Sequence, residues 1–264
     1  MPSLRNSTLA ALGVLLLGTS ACSASPAETD TEAEAAGANL PAGRLGLMTS
    51  LPLYWPLGAG VDDIASGRAS VPWQRAVIEK MYTLAPLDTL SPLPGLTADA
   101  PETDPLAEIE RLAIIQPRGL SPADNVALDA WVRGGGLLLL VLDPALTGEY
   151  DLPLGDPRRP VDAALIPAVV ARWGLAVSFD EAQASTVTTA DLGGVPLPLA
   201  LAGQVTIIDP EAAQCTLLAN SAAARCEVGK GRVTLIADAA LFEHPELAGE
   251  DGGALRAVIE EAVR

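Results

Sequence analysis

The chain has 264 residues, 49% of them apolar, with 24 glycines, 22 prolines and a net charge of −17. Such proportions suit a folded α/β domain with many tight connections and argue against a largely disordered chain. The acidic balance excludes general nucleic-acid binding, which needs a basic footprint, and disfavours flat adsorption to anionic lipid.

The first residues read as an export signal: Arg5 is the single charge, Leu9 to Leu17 are mostly apolar, and small residues follow up to Ala21. The apolar stretch is shorter than the roughly 20 residues of a spanning helix. Cys22 follows Thr19-Ser20-Ala21 and resembles the lipid-modified cysteine of a bacterial lipoprotein. Residues 22–43 carry Glu28, Asp30, Glu32 and Glu34 with no base, a composition expected of a flexible acidic tether. Residues 44–264 are expected to form a single domain.

Within that domain Leu45 to Ser50 is the first strand, followed by S-L-P-L-Y-W-P-L-G-A-G over 50–60. Ser70 and Pro72 open a helix that presents Trp73, Val77, Ile78 and Met81 on one face. Strands over Tyr82–Leu90 and Arg111–Gln116 flank a Pro- and Asp-rich loop. Ser121-Pro122-Ala123-Asp124 has the cap, the early proline and the acid of a helix start, and Val126, Ala130 and Trp131 are its expected inner stripe. Gly134 to Gly136 end that helix and lead into L-L-L-L-V-L over 137–142. A phosphate loop needs the opposite order, glycines between a strand and a helix N-terminus, so nucleotide binding is excluded there. The strand itself is apolar at every position, as in a central parallel strand covered on both faces.

Beyond Asp143-Pro144 a helix is expected over 161–173, with Leu165, Val169 and Trp173 inward, then strands at 175–179, 205–209 and 232–238 and a helix at 254–263. Cys215 and Cys226 flank a turn at Asn220-Ser221, and a register that sets 219 against 222 sets 215 against 226. That pairing is within disulfide reach, although at the less comfortable, hydrogen-bonded kind of site. The repeated β-α-β pattern predicts a doubly wound, mainly parallel, flavodoxin-like sheet with a C-terminal hairpin added.

The block from Leu112 to Pro144 (L-A-I-I-Q-P-R-G-L-S-P-A-D-N-V-A-L-D-A-W-V-R-G-G-G-L-L-L-L-V-L-D-P) resembles the auxiliary, non-ATPase component of gliding-motility-type ABC transporters and related domains of unknown function. I-P-A-V-V-A-R-W-G-L-A-V and V-G-K-G-R-V-T-L-I-A-D-A-A-L-F are similar to later parts of that family, so the likeness covers roughly 44–245. It implies a class I glutamine-amidotransferase-like fold and a protein partner, an ABC permease or another envelope subunit.

An amidotransferase needs a cysteine on a strained strand-to-helix turn and a histidine to take its proton. No Gly-x-Cys-x-Gly or Gly-x-Ser-x-Gly occurs, and His244 is the single histidine. The expectation is therefore a non-enzymatic, exported accessory domain without cofactor or metal, held near an ABC-type transport system through a lipid on Cys22. A second reading uses the rim of the sheet. Asp143, Asp209 and Asp238 end apolar strands, where open α/β sheets bind ligands. Asp143 and Asp238, with Tyr54 and Trp55 on the first loop, would then make a hydrolase or carbohydrate-binding site. The plainer alternatives are that the aspartates form turns and caps and that the aromatic pair plugs the core.

Overall fold

In the computed structural model, residues 43–97 and 99–264 are described. The export signal, Cys22 and the acidic tether up to residue 42, all assigned above from sequence, lie outside them.

Strand β1 (Arg44–Thr49) leads into the aromatic loop and two short helices, α1 (Val61–Ala65) and α2 (Trp73–Ile78). Pro72 rather than Ser70 stands at the cap of α2. Then come β2 (Thr83–Pro86), β3 (Arg111–Ile115), α3 (Pro122–Gly134) and β4 (Leu137–Val141). The start of α3 is a complete capping box: Ser121 Oγ accepts from Asp124 N, and the Asp124 carboxylate accepts from Ser121 N. Gly135, at φ 127°, lets the chain turn out of the helix into β4, a conformation that favours glycine.

The stripe expected along α3 is rotated. Asp124, Leu128, Asp129 and Val132 face inward, while Val126 is 72% exposed. Two hydrogen-bonded aspartates occupy the inner face, and Trp131 lies at its edge with its indole N–H on the Ile109 carbonyl at 2.8 Å. Helix α4 is also shorter than expected, Ala168–Arg172. Pro167 fixes its start, because a residue before proline avoids the helical region, and Leu165 is left exposed.

The remaining elements are β5 (Leu175–Ser178), β6 (Thr188–Asp191), β7 (Pro196–Leu199), β8 (Gln204–Ile207), β9 (Gln214–Leu218), β10 (Ala223–Val228), β11 (Gly231–Ile236), α5 (Ala240–Glu243) and α6 (Gly253–Ala262). Seven strands form one sheet in the order β2-β1-β3-β4-β11-β10-β9. The first five in that order are mutually parallel; β10 and β9 continue the sheet antiparallel. Two antiparallel pairs, β5 with β8 and β6 with β7, stand outside it.

Alternation along the parallel strands divides the core. Leu45, Leu47, Ala113, Ile115, Leu139 and Val141 turn toward α2, α5 and α6. Leu112, Ile114, Leu138, Leu140 and Leu142 turn toward α3 and α4. Both faces of the sheet are therefore covered by helices.

Cys226 pairs with Cys215 in the β9–β10 register, and the two are joined by a disulfide. Their Cα atoms are 4.1 Å apart, the close spacing of a non-hydrogen-bonded pair. The turn accounts for the difference from expectation. Leu218 and Ala223 are the last partners, so four residues rather than two form the loop, and the register is unchanged while the kind of pair switches. A disulfide fits an oxidising compartment, in keeping with export.

Candidate functional site

The loop after β1 holds Trp55 toward solvent, while Tyr54 is half-buried and packs against the core. Leu51 and Leu53 are buried and anchor it, and Ser50 Oγ donates to the Gln116 carbonyl at 2.6 Å. Between and beyond these anchors Pro52, Tyr54, Trp55 and Pro56 line one cleft. The Tyr54 and Trp55 rings meet edge to face at 5.1 Å, a favoured aromatic geometry. Arg75 of α2 lies over both, 4.1 Å from the centroid of Tyr54 and 5.2 Å from that of Trp55. Its Nε donates to Glu79 at 2.7 Å, which fixes the guanidinium in place.

In front of the pair is a cleft of about 390 Å³. Thr49 and Ser50 line it from the end of β1, Asp88 from the end of β2, and Arg158 from a distant loop. Trp55 is 42% exposed and Asp88 is exposed, with no ion pair to Asp88 among the described residues. Arg158 is held by Asp156 through two guanidinium bonds of 2.8 and 3.0 Å. The cleft thus offers an aromatic surface and an unpaired carboxylate, whereas the Ser50 hydroxyl is already engaged by the Gln116 carbonyl and Val161 N.

Asp143 and Asp238 do not join this cleft. Both are buried. Asp143 Oδ1 accepts from Ala145 N and Oδ2 from Ala239 N, each at 2.7 Å. Asp238 Oδ2 accepts from Ala200 N at 2.6 Å and Oδ1 from Ala240 N at 2.7 Å. Every carboxylate oxygen therefore holds a backbone N–H of a neighbouring connection. Burial pushes the Asp143 carboxyl up to about 6, against those N–H groups. Burial, then the charge of Asp143, pushes Asp238 up to about 7. Asp209 stands apart after β8 and caps its own turn by accepting from Glu211 N.

Sequence reasoning missed the groups around the buried pair. Gln116 adopts φ 47° at the end of β3 and is fully buried. Its amide donates to the Asp143 and Val161 carbonyls, and its oxygen accepts from Asp143 N. Glu243 accepts from Thr147 N and from the Tyr150 hydroxyl, and burial followed by Glu243 raises the Tyr150 phenol. His244 is part-buried, with Nε2 2.9 Å from Thr147 Oγ1. The polar residue directly after β3 was a visible signal for Gln116; nothing local marked Asp88, Arg75 or Arg158.

No protein-family model and no curated protein matches the chain. Solved structures do. It is similar to the exo-beta-1,4-mannosidase Op5Man5 from Opitutaceae bacterium strain TAV5, at 16% identity and a TM-score of 0.47, over 84% of this chain and 36% of that one. The beta-galactosidase from Rahnella sp. R3 is matched at 11% identity and a TM-score of 0.43, over 84% and 31%. Gan42B, a GH42 beta-galactosidase from G. stearothermophilus, is matched at 14% identity and a TM-score of 0.42, over 84% and 30%. The chain spans about a third of the length of each of these proteins. These neighbours bear the names of a mannosidase and two beta-galactosidases, where the expectation from sequence was a non-enzymatic domain.

Proposed function

We propose that this is an exported carbohydrate-binding domain whose ligand docks on the Tyr54–Trp55 rim. The observation that carries the reading is the aromatic pair braced by Arg75 at the mouth of a cleft that also holds Asp88. A sugar presents apolar C–H faces and a belt of hydroxyls. Trp55 supplies a flat apolar surface for the first, and the Asp88 carboxylate accepts hydrogen bonds from two hydroxyls of the second. The volume is that of a small-ligand site. Glycosidic hydrolysis takes two carboxyl groups flanking the bond. Among the described lining residues Asp88 is the one acid, so binding is the part of the reading the cleft supports.

The test is a panel of neutral oligosaccharides screened by tryptophan fluorescence, followed by calorimetry on any hit. Trp55→Ala and Asp88→Asn should each weaken binding about tenfold, equivalent to one stacking or charge-assisted contact. Binding that both variants leave intact would refute the assignment.

The Cys215–Cys226 bond supports placement in an oxidising envelope compartment, and we place the anchor at Cys22. Cys22→Ser should release the protein from membranes on fractionation. A second reading, an accessory subunit of an ABC-type transport system, is favoured by the order β2-β1-β3-β4-β11, which is the flavodoxin-like order implied by the resemblance. It requires that a permease co-purify with the chain from solubilised membranes.

A further inference from the structure

Away from the rim, α3 and α4 lie side by side with a cleft of about 530 Å³ between them. Val126, Ala130, Ala168 and Val169 give it an apolar floor, and Arg133 and Arg172 stand beside that floor. Asp129, buried beneath them, organises both arginines. Its carboxylate accepts from Arg133 Nε at 3.0 Å, from Arg172 Nε at 2.7 Å and from the Trp173 indole at 2.8 Å. Burial alone would raise the Asp129 carboxyl; bonds from Arg133, Trp173 and Arg172 outweigh it and hold the group below its usual range.

Each guanidinium is therefore fixed through Nε, and among the described residues no hydrogen bond occupies the terminal amino groups of either. Both side chains reach solvent, at 39% and 66% exposure. Two cations face one carboxylate here, in a chain whose net charge is −17. A guanidinium held by its stem nitrogen and open at its fork is pre-oriented for a second carboxylate. An open apolar trough beside two such forks is complementary to an anion that carries a hydrocarbon tail.

We propose that this cleft binds a small acidic amphiphile. Its carboxylate is taken by the free amino groups of Arg133 and Arg172, and its tail lies along Val126 and Ala130. The site is independent of the carbohydrate rim, since no residue lines both clefts.

Decanoate is a suitable probe, titrated calorimetrically into the full chain. Saturable binding is expected, with decanol, which lacks the charge, and acetate, which lacks the tail, each at least about tenfold weaker. The paired change Arg133→Gln with Arg172→Gln should weaken decanoate by about tenfold or more, the loss of one or more charge-assisted hydrogen bonds. Lys80→Gln with Lys230→Gln makes the same change in net charge elsewhere and should leave binding unaltered. Val126→Asp alters an exposed position, keeps both arginines and should also weaken binding, which guards against misfolding of the arginine variant. The proposal is overturned by any of three results: no saturable binding, equal affinity for decanol, or an arginine variant that is folded and binds decanoate as the parent does. Binding of an acidic peptide in the absence of decanoate binding would likewise refute it.

Discussion

Two acidic regions at the carboxyl ends of the parallel strands differ in what their polar groups already hold. At the β4–β11 junction, Asp143 and Asp238 are buried and both oxygens of each accept a backbone N–H. At the β1–β2 rim, Asp88 is exposed beside an aromatic pair and the cleft is open. The residue types invite the same chemical guess. What separates them is unoccupied hydrogen-bonding capacity within reach of solvent, which a ligand needs and a structural junction lacks.

The largest effect should follow from breaking the closed junction. Asp143→Leu leaves the buried Ala239 N and the part-buried Ala145 N without an acceptor, and costs roughly 2 to 6 kcal/mol of stability at about 1 to 3 kcal/mol per orphaned group. Chemical denaturation would measure it; a loss below about 1 kcal/mol would show that these connections do not depend on the carboxylate.

Reduction of Cys215–Cys226 comes next. The bond spans a separation of 11 residues, and closing a loop of that size contributes about 2 to 3 kcal/mol. A dithiothreitol-treated sample should melt lower, whereas an unchanged midpoint would mean that the β9–β10 register needs no covalent link.

The junction should also show in the pH dependence of stability. Asp143 and Asp238 are raised in the folded state to about 6 and about 7, above the unfolded value of 3.8. Between those limits the native protein binds more protons than the unfolded chain, so stability falls as pH rises. A change on the order of 2 kcal/mol is expected between about pH 5 and pH 7, greater stability being on the acid side. Asp238→Asn should flatten the profile; a slope of opposite sign would mean that the N–H groups outweigh desolvation.

Much of the scaffold was legible because each signal was local. The capping box at Ser121, the all-apolar run at 137–142 and the cysteine register are read from adjacent residues. The inner face of α3 was not, since Asp124 and Asp129 point inward to partners on other elements and interrupt the apolar stripe. The β6–β7 pair escaped notice because P-L-P-L carries prolines that argue against a strand. Tyr54 and Trp55 stood out as an aromatic pair between prolines. Asp88 and Arg158 join them only through the fold, from positions with no shared motif.

The account is tested most directly by a two-dimensional 1H–15N NMR titration with an oligosaccharide found to bind. The Trp55 indole N–H and the amides of the non-proline residues of 49–59 and of Asp88 should shift in a saturable way, while those of Ala145, Ala239 and Ala240 stay still. Shifts gathered on the Asp143–Asp238 connections, with the Trp55 signal unmoved, would contradict it.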